Sequence, residues 1–113
     1  MNNIKEEIKN FIDESINSND VVLFMKGEKD FPQCGFSATI VAILQKLEIN
    51  FLDINVLESN ELREGIKEYT DWPTIPQLYL KGEFIGGCDI IKELFHSGDL
   101  FKTLEEKQIT YKK

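Results

Sequence analysis

The sequence predicts an α/β fold: a four-stranded mixed sheet with about five helices on its two faces. Three observations carry this. Val21 to Met25 is an unbroken apolar run, as a strand buried on both faces requires. Leu52, Ile54 and Val56 alternate with Asp53 and Asn55, the period of a second strand. Between them Phe36, Ile40, Ile43, Leu44 and Leu47 recur at helical spacing, so a helix joins the two strands and they should run parallel with a right-handed crossover.

The remaining elements follow along the chain. Ile4, Ile8, Phe11 and Ile12 mark one face of a first helix to about Asn17, with Asn3 and Glu6 as a capping-box-like start. Ser18-Asn19-Asp20 breaks it before the first strand. Gly27 to Gln33 holds Gly, Pro and charges and reads as a loop, and the second helix begins at about Gly35. Ser59 is placed to cap a third helix carrying Leu62, Ile66 and Tyr69, and Pro73 and Pro76 end helical possibilities there. Leu78 and Leu80, then Phe84 to Gly86, form a hairpin across Lys81-Gly82. Asp89 is expected to cap a fourth helix with Ile90, Ile91, Leu94 and Phe95. Ser97-Gly98 stops that helix and Asp99 starts a last one. The polar end of the chain, from about residue 106, is expected to fray. No repeat, low-complexity stretch or linker divides residues 1–113, so one domain is expected.

Composition narrows the function classes. The chain is 42% hydrophobic and 29% charged, ordinary for a globular protein. Its net charge of −7 argues against nucleic acid, which needs clustered Lys and Arg. No apolar run approaches the ~20 residues of a membrane span. Glu6 and Glu7 interrupt any signal-peptide core, and the segment lacks the arginine-rich, acid-poor character of a transit peptide. Two cysteines do not make a disulfide framework, so reduced thiols serving catalysis or metal are expected. The expected compartment is the cytoplasm, or the mitochondrial matrix or another organelle if a leader has been removed.

Cys34-Gly35-Phe36-Ser37 is the most informative motif. A Cys-x-x-Cys pair between a strand and a helix is a thioredoxin-like dithiol signature, and here the second position is Ser37. Serine cannot close a disulfide. The thiol therefore works with an external thiol or does something else, such as holding a metal. A buried structural thiol is the bland alternative. Against it stands the placement of Cys34 at a helix start, where free N–H groups and the positive helix end stabilise a thiolate, the form that ligates iron and attacks disulfides. Gly35 would let a ligand or partner backbone approach closely.

Four blocks name a family. Lys26-Gly27, Phe31-Pro32-Gln33-Cys34-Gly35-Phe36-Ser37, Trp72-Pro73-Thr74-Ile75-Pro76-Gln77-Leu78-Tyr79 and Gly86-Gly87-Cys88-Asp89 occur in this order. Together they closely resemble the monothiol glutaredoxins of the Cys-Gly-Phe-Ser class, over nearly the whole chain to about Leu104. The resemblance implies a thioredoxin-like (glutaredoxin) fold, glutathione binding, and a [2Fe-2S] cluster held between two chains and two glutathiones. Such proteins are cluster carriers with weak thiol-disulfide activity. They are homodimers when cluster-bound and monomers otherwise, and they pass clusters to iron-sulfur recipient or assembly proteins.

The resemblance also assigns residues. Lys26, at the end of the central strand, would favour the Cys34 thiolate and pair with a glutathione carboxylate, where a plain surface lysine is the default. Arg63, the single arginine, would clamp a carboxylate with its planar fork. Thr74-Ile75-Pro76 is the family's cis-proline segment, and the Ile75 backbone would pair with the cysteinyl backbone of glutathione. Gly87, Cys88 and Asp89 would offer turn N–H groups to the γ-glutamyl carboxylate, with Asp89 near its ammonium. Asp89 as a plain cap would explain that residue equally well. Phe36 fits a core or rim role better than direct chemistry. Trp72 fits packing better than ligand contact. Ser37 would donate a weak hydrogen bond to the thiolate or serve as an ordinary first-turn residue. Cys88 would be inert, a cluster ligand or an oxidative partner of Cys34, and a non-ligand place near the pocket is favoured. Cys34 alone is expected to ligate iron.

Three functions compete. The first is the cluster carrier. The second is a glutathione-dependent oxidoreductase, in which Cys34 takes glutathione from a protein and free glutathione resolves it. The loop from Glu28 to Gln33 resembles the longer loop of the carrier class and should hinder that chemistry. The third is a non-redox adaptor using apolar surface around Phe31 and Phe36.

Overall fold

A computed structural model describes residues 4–112. Its elements are α1 (Glu6–Ser18), β1 (Val21–Met25), β2 (Gly27–Glu28), β3 (Phe31–Pro32), α2 (Gly35–Lys46), β4 (Leu52–Asn55), a 3-10 turn (Val56–Glu58), α3 (Asn60–Thr70), β5 (Gln77–Leu80), β6 (Glu83–Gly86), α4 (Cys88–Ser97) and α5 (Asp99–Glu106). The sheet order is β4-β1-β5-β6. β4 lies parallel to β1, with Phe24 opposite Ile54, and β5 antiparallel, with Phe24 opposite Gln77. The β5–β6 hairpin turns through Lys81 and Gly82, both at positive φ, as a two-residue primed turn needs.

β1 is central and every residue of it is buried, which is why its sequence is continuously apolar. Its alternate side chains feed two cores. Val21, Leu23 and Met25 meet Ile40, Leu44, Ile91, Leu100 and Leu104 from α2, α4 and α5. Val22 and Phe24 meet Ile12, Ile16, Leu62, Ile66 and Tyr79, so α1 and α3 cover the other face. Phe24 and Tyr79 pack edge to face at 5.5 Å, an arrangement that adds about 0.5–1.5 kcal/mol beyond area burial.

Several expectations change. The first helix begins at Glu6, with Lys5 at its N-cap and no side-chain cap; Asn3, the proposed capping-box residue, lies outside the described residues. β4 stops at Asn55 because the Asn55 side chain accepts from the Leu57 N–H and opens the 3-10 turn. The loop Gly27–Gln33 contains a two-stranded ribbon, β2 against β3. Its strands of two residues are too short to show a period. The segment after α5, expected to fray, is docked instead. Ile109 is buried in the core, the Lys112 N–H donates to the Leu47 carbonyl at 2.7 Å, and Tyr111 packs on Phe101 at 5.4 Å. Two apolar side chains among the polar ones are enough to hold it.

Candidate functional site

The site forms where β1, the loop before β5, and the starts of α2 and α4 meet. Cys34 is the N-cap of α2, in extended conformation. Cys34 and Cys88 are both free and half-buried. Burial works against ionising the Cys34 thiol. It is outweighed by the N–H groups of Ser37 and Phe36, the Ser37 hydroxyl and the charge of Lys26, so the thiol titrates below its ordinary value.

Ser37 has a definite role. It is fully buried, and its Oγ accepts the Lys26 N–H at 3.1 Å, which frees its O–H for the sulfur. The Lys26 carbonyl accepts the Gln33 N–H at 2.9 Å. Lys26 therefore ties the end of β1 to both sides of the cysteine. The ribbon is tied to β4 in turn. Asn55 Oδ1 accepts from the Gly27 N–H at 3.0 Å, and Asp53 accepts from the Lys29 N–H at 2.8 Å.

Ser37→Ala is expected to raise the Cys34 pKa toward its ordinary value, because it removes the hydroxyl donor. It also strands the Lys26 N–H, at a cost of about 1–3 kcal/mol. Iodoacetamide alkylation across pH reads the first effect and urea unfolding the second. The sign for stability follows from a folded thiol value below the unfolded one. The contribution of Cys34 is complete above the unfolded value and is lost as pH falls through the folded value. Stability should therefore gain less from a rise in pH across that window in Ser37→Ala than in the parent. An alkylation midpoint that does not move would remove Ser37 from the site.

A cavity of about 390 Å³ opens beside the cysteine. Lys26 and Phe36 line one side. Arg63 from α3 lines another, as do Thr74, Ile75 and Pro76 from the loop before β5. Gly87, Cys88 and Asp89 at the start of α4 complete it. Cys34 itself is not in the wall but adjoins it in sequence through Gly35 and Phe36. A Cβ added at Gly35 would meet open space, so the thiol's neighbour presents no barrier to an incoming group. The Ile75–Pro76 bond is cis.

Asp89 differs from expectation, and the readings of Phe36 and Trp72 are narrowed. Asp89 does not cap α4: Gly87 does, with no side-chain cap bond, and its carbonyl accepts the Ile91 N–H at 3.0 Å. Asp89 sits within the first turn, where a carboxylate favours the helix dipole. Phe36 is 62% exposed, which excludes the core and leaves the rim. Trp72 packs on Phe84 at 5.8 Å, as expected of it, and its side chain also borders the cavity. Lys67, Pro73 and Ile90 belong to the wall as well. Lys67 lies one turn beyond Arg63, a spacing that could have found it.

The site suits a small ligand bearing carboxylates. Arg63 Nε is a buried side-chain polar atom without a hydrogen-bond partner among the described residues, an arrangement that is costly unless an acceptor arrives. The uncapped first turn of α4 offers N–H groups to an anion. A Cβ at Gly87 would lie 3.2 Å from the Pro76 carbonyl oxygen, a tight contact, so the two walls approach closely here.

Comparison with known proteins decides the family. The glutaredoxin family model matches residues 21–85. The probable monothiol glutaredoxin 2 of Rickettsia typhi is 58% identical over 97 residues, covering 86% of this chain and 87% of that protein. The chain belongs to the monothiol glutaredoxins. The mitochondrial monothiol glutaredoxin-5 of Saccharomyces cerevisiae is 51% identical over 108 residues, covering 93% of this chain and 72% of the relative. The solution structure of reduced poplar apo GrxS14 superposes with a TM-score of 0.80 at 53% identity, covering 89% of this glutaredoxin and 93% of that chain. The thioredoxin-like fold expected from the sequence is thus the fold observed.

Proposed function

We propose that this chain binds glutathione beside Cys34 and, as two chains with two glutathiones, carries a [2Fe-2S] cluster to recipient or assembly proteins. One observation carries the reading. Cys34 is held in a thiolate-favouring place, and the position that would hold its partner thiol is Ser37, buried and hydrogen-bonded to the backbone. The missing sulfur therefore comes from outside the chain. The cavity alongside supplies a berth: Arg63 and Lys26 for carboxylate, the α4 start for a second carboxylate, and the Ile75 backbone for a peptide-like middle.

The ligand count supports the same reading. A [2Fe-2S] cargo takes four ligands, commonly thiolates. Cys34 from each of two chains and sulfur from each of two glutathiones make four, with Cys88 outside the set. Among the described residues no three His, Cys, Asp or Glu side chains group to hold a metal ion. Two of the four thiolates are untethered, which makes the cargo easy to release. In this reading oxidoreductase turnover is weak, and the compartment is one where thiols stay reduced, the cytoplasm or an organelle matrix.

Anaerobic reconstitution with iron, sulfide and glutathione tests the proposal. A coloured dimer holding iron, sulfide and glutathione is expected, reverting to monomer when the cargo leaves. A colourless monomer without iron would sink it.

A further inference from the structure

The wall between α3 and β5 carries much of the berth, and one buried amide holds it. Gln77, on β5, is fully buried. Its Nε2 donates to the Trp72 carbonyl at 3.3 Å and to the Thr74 carbonyl at 3.3 Å. Its Oε1 accepts from the Tyr79 hydroxyl at 3.1 Å. These partners fix the amide's orientation, since the reverse would set an oxygen against two carbonyls.

Tyr79 is held as firmly. It is 2% exposed, with its ring against Phe24 and, at 5.6 Å, against Phe84. Burial pushes its titration well above the ordinary tyrosine range, so it remains a donor at any working pH. Phe84 packs on Trp72. Trp72 is therefore held twice, by its carbonyl through Gln77 and by its ring through Phe84. Trp72, Thr74 and Ile75 all face the cavity.

We infer that Gln77 and Tyr79 form a buried clamp that sets the Trp72–Pro76 wall and are positioning residues for the ligand this cavity takes. The inference rests on the glutathione reading above. A sheet face does not need a glutamine at full burial, where an apolar side chain is the cheaper choice. The two loop carbonyls that its amide satisfies supply the reason for it.

The test measures glutathione affinity by calorimetry and the fluorescence emission of Trp72, the single tryptophan, in the free protein, for the parent, Gln77→Leu and Tyr79→Phe. Gln77→Leu is expected to weaken glutathione about tenfold, the scale of one unpaired buried group. Tyr79→Phe, which keeps the amide but not the hydroxyl that orients it, should cost a few-fold. Trp72 emission should shift to the red in both, as its wall loosens and its ring meets more water, while the Cys34 alkylation midpoint stays put, since the clamp touches the opposite wall. A folded Gln77→Leu that binds glutathione like the parent overturns the inference. Should that variant not fold, Tyr79→Phe decides by the same comparison. A parent that binds no glutathione overturns the ligand reading instead, and the clamp then stands or falls on Trp72 emission.

Discussion

Cys34→Ser is expected to abolish iron loading while leaving the fold as stable as the parent, or slightly more so. The two effects part because Cys34 has two independent places in the molecule. Chemically it is the thiolate, and a serine hydroxyl stays protonated at neutral pH and is a poor iron ligand. Structurally it is the N-cap of α2, in extended conformation, with its sulfur beside the Phe36 and Ser37 N–H groups. Serine is among the preferred N-cap residues, with a capping oxygen worth about 0.5–2 kcal/mol against alanine. Iron content after anaerobic reconstitution should therefore fall to background, with a thermal midpoint unchanged or raised. Cys88→Ser is the counterpart. Cys88 lines the cavity at the first position of α4 and packs against the core. Its replacement should leave the iron in place. Iron retained without Cys34, or lost without Cys88, would break the four-ligand assignment.

Much of the architecture was readable because burial leaves a period in the sequence. β1 runs from Val21 to Met25 as read, the helix after Cys34 starts at Gly35, the hairpin turns at Lys81-Gly82, and Ser59 caps α3 through the Leu62 N–H at 3.2 Å. The candidate ligand residues Lys26, Arg63, Thr74 to Pro76 and Gly87 to Asp89 converge on one cavity, although they are scattered along the chain. What was not readable depends on backbone partners. Gln77 looks like a polar slip in a strand until the Trp72 and Thr74 carbonyls are placed beside it. The helix start at Gly87 rather than Asp89 is set by which carbonyl accepts the Ile91 N–H, and two adjacent candidates look alike in sequence. The sequence leaves Ser37 between two roles because its main partner, the Lys26 N–H, is eleven residues away. Ile109 and Tyr111 stand among polar neighbours that hide their signal, yet together they dock the segment.

The second large effect is steric, and two glycines separate its parts. Gly27 and Gly98 both have φ +88°, a conformation L side chains rarely adopt. A Cβ at Gly98 meets nothing within 4 Å, whereas one at Gly27 would lie 2.5 Å from the Phe31 carbonyl oxygen and 2.6 Å from the Gln33 nitrogen. Both of those atoms are backbone, so no side chain can swing aside. Gly98→Ala should cost about 1–2 kcal/mol for the left-handed conformation alone. Gly27→Ala adds the overlap, typically about 1–3 kcal/mol more where packing is tight. The difference between the two urea midpoints reads the overlap directly. The chain can avoid it only by opening the ribbon, which means giving up the Gly27–Pro32 pairing and the Gln33 N–H to Lys26 bond. Those contacts hold the segment leading into Cys34, so the thiol's alkylation midpoint should rise in Gly27→Ala and stay unchanged in Gly98→Ala. Equal losses of stability in the two variants, with the thiol unmoved in both, would show that the ribbon does not set the position of the cysteine.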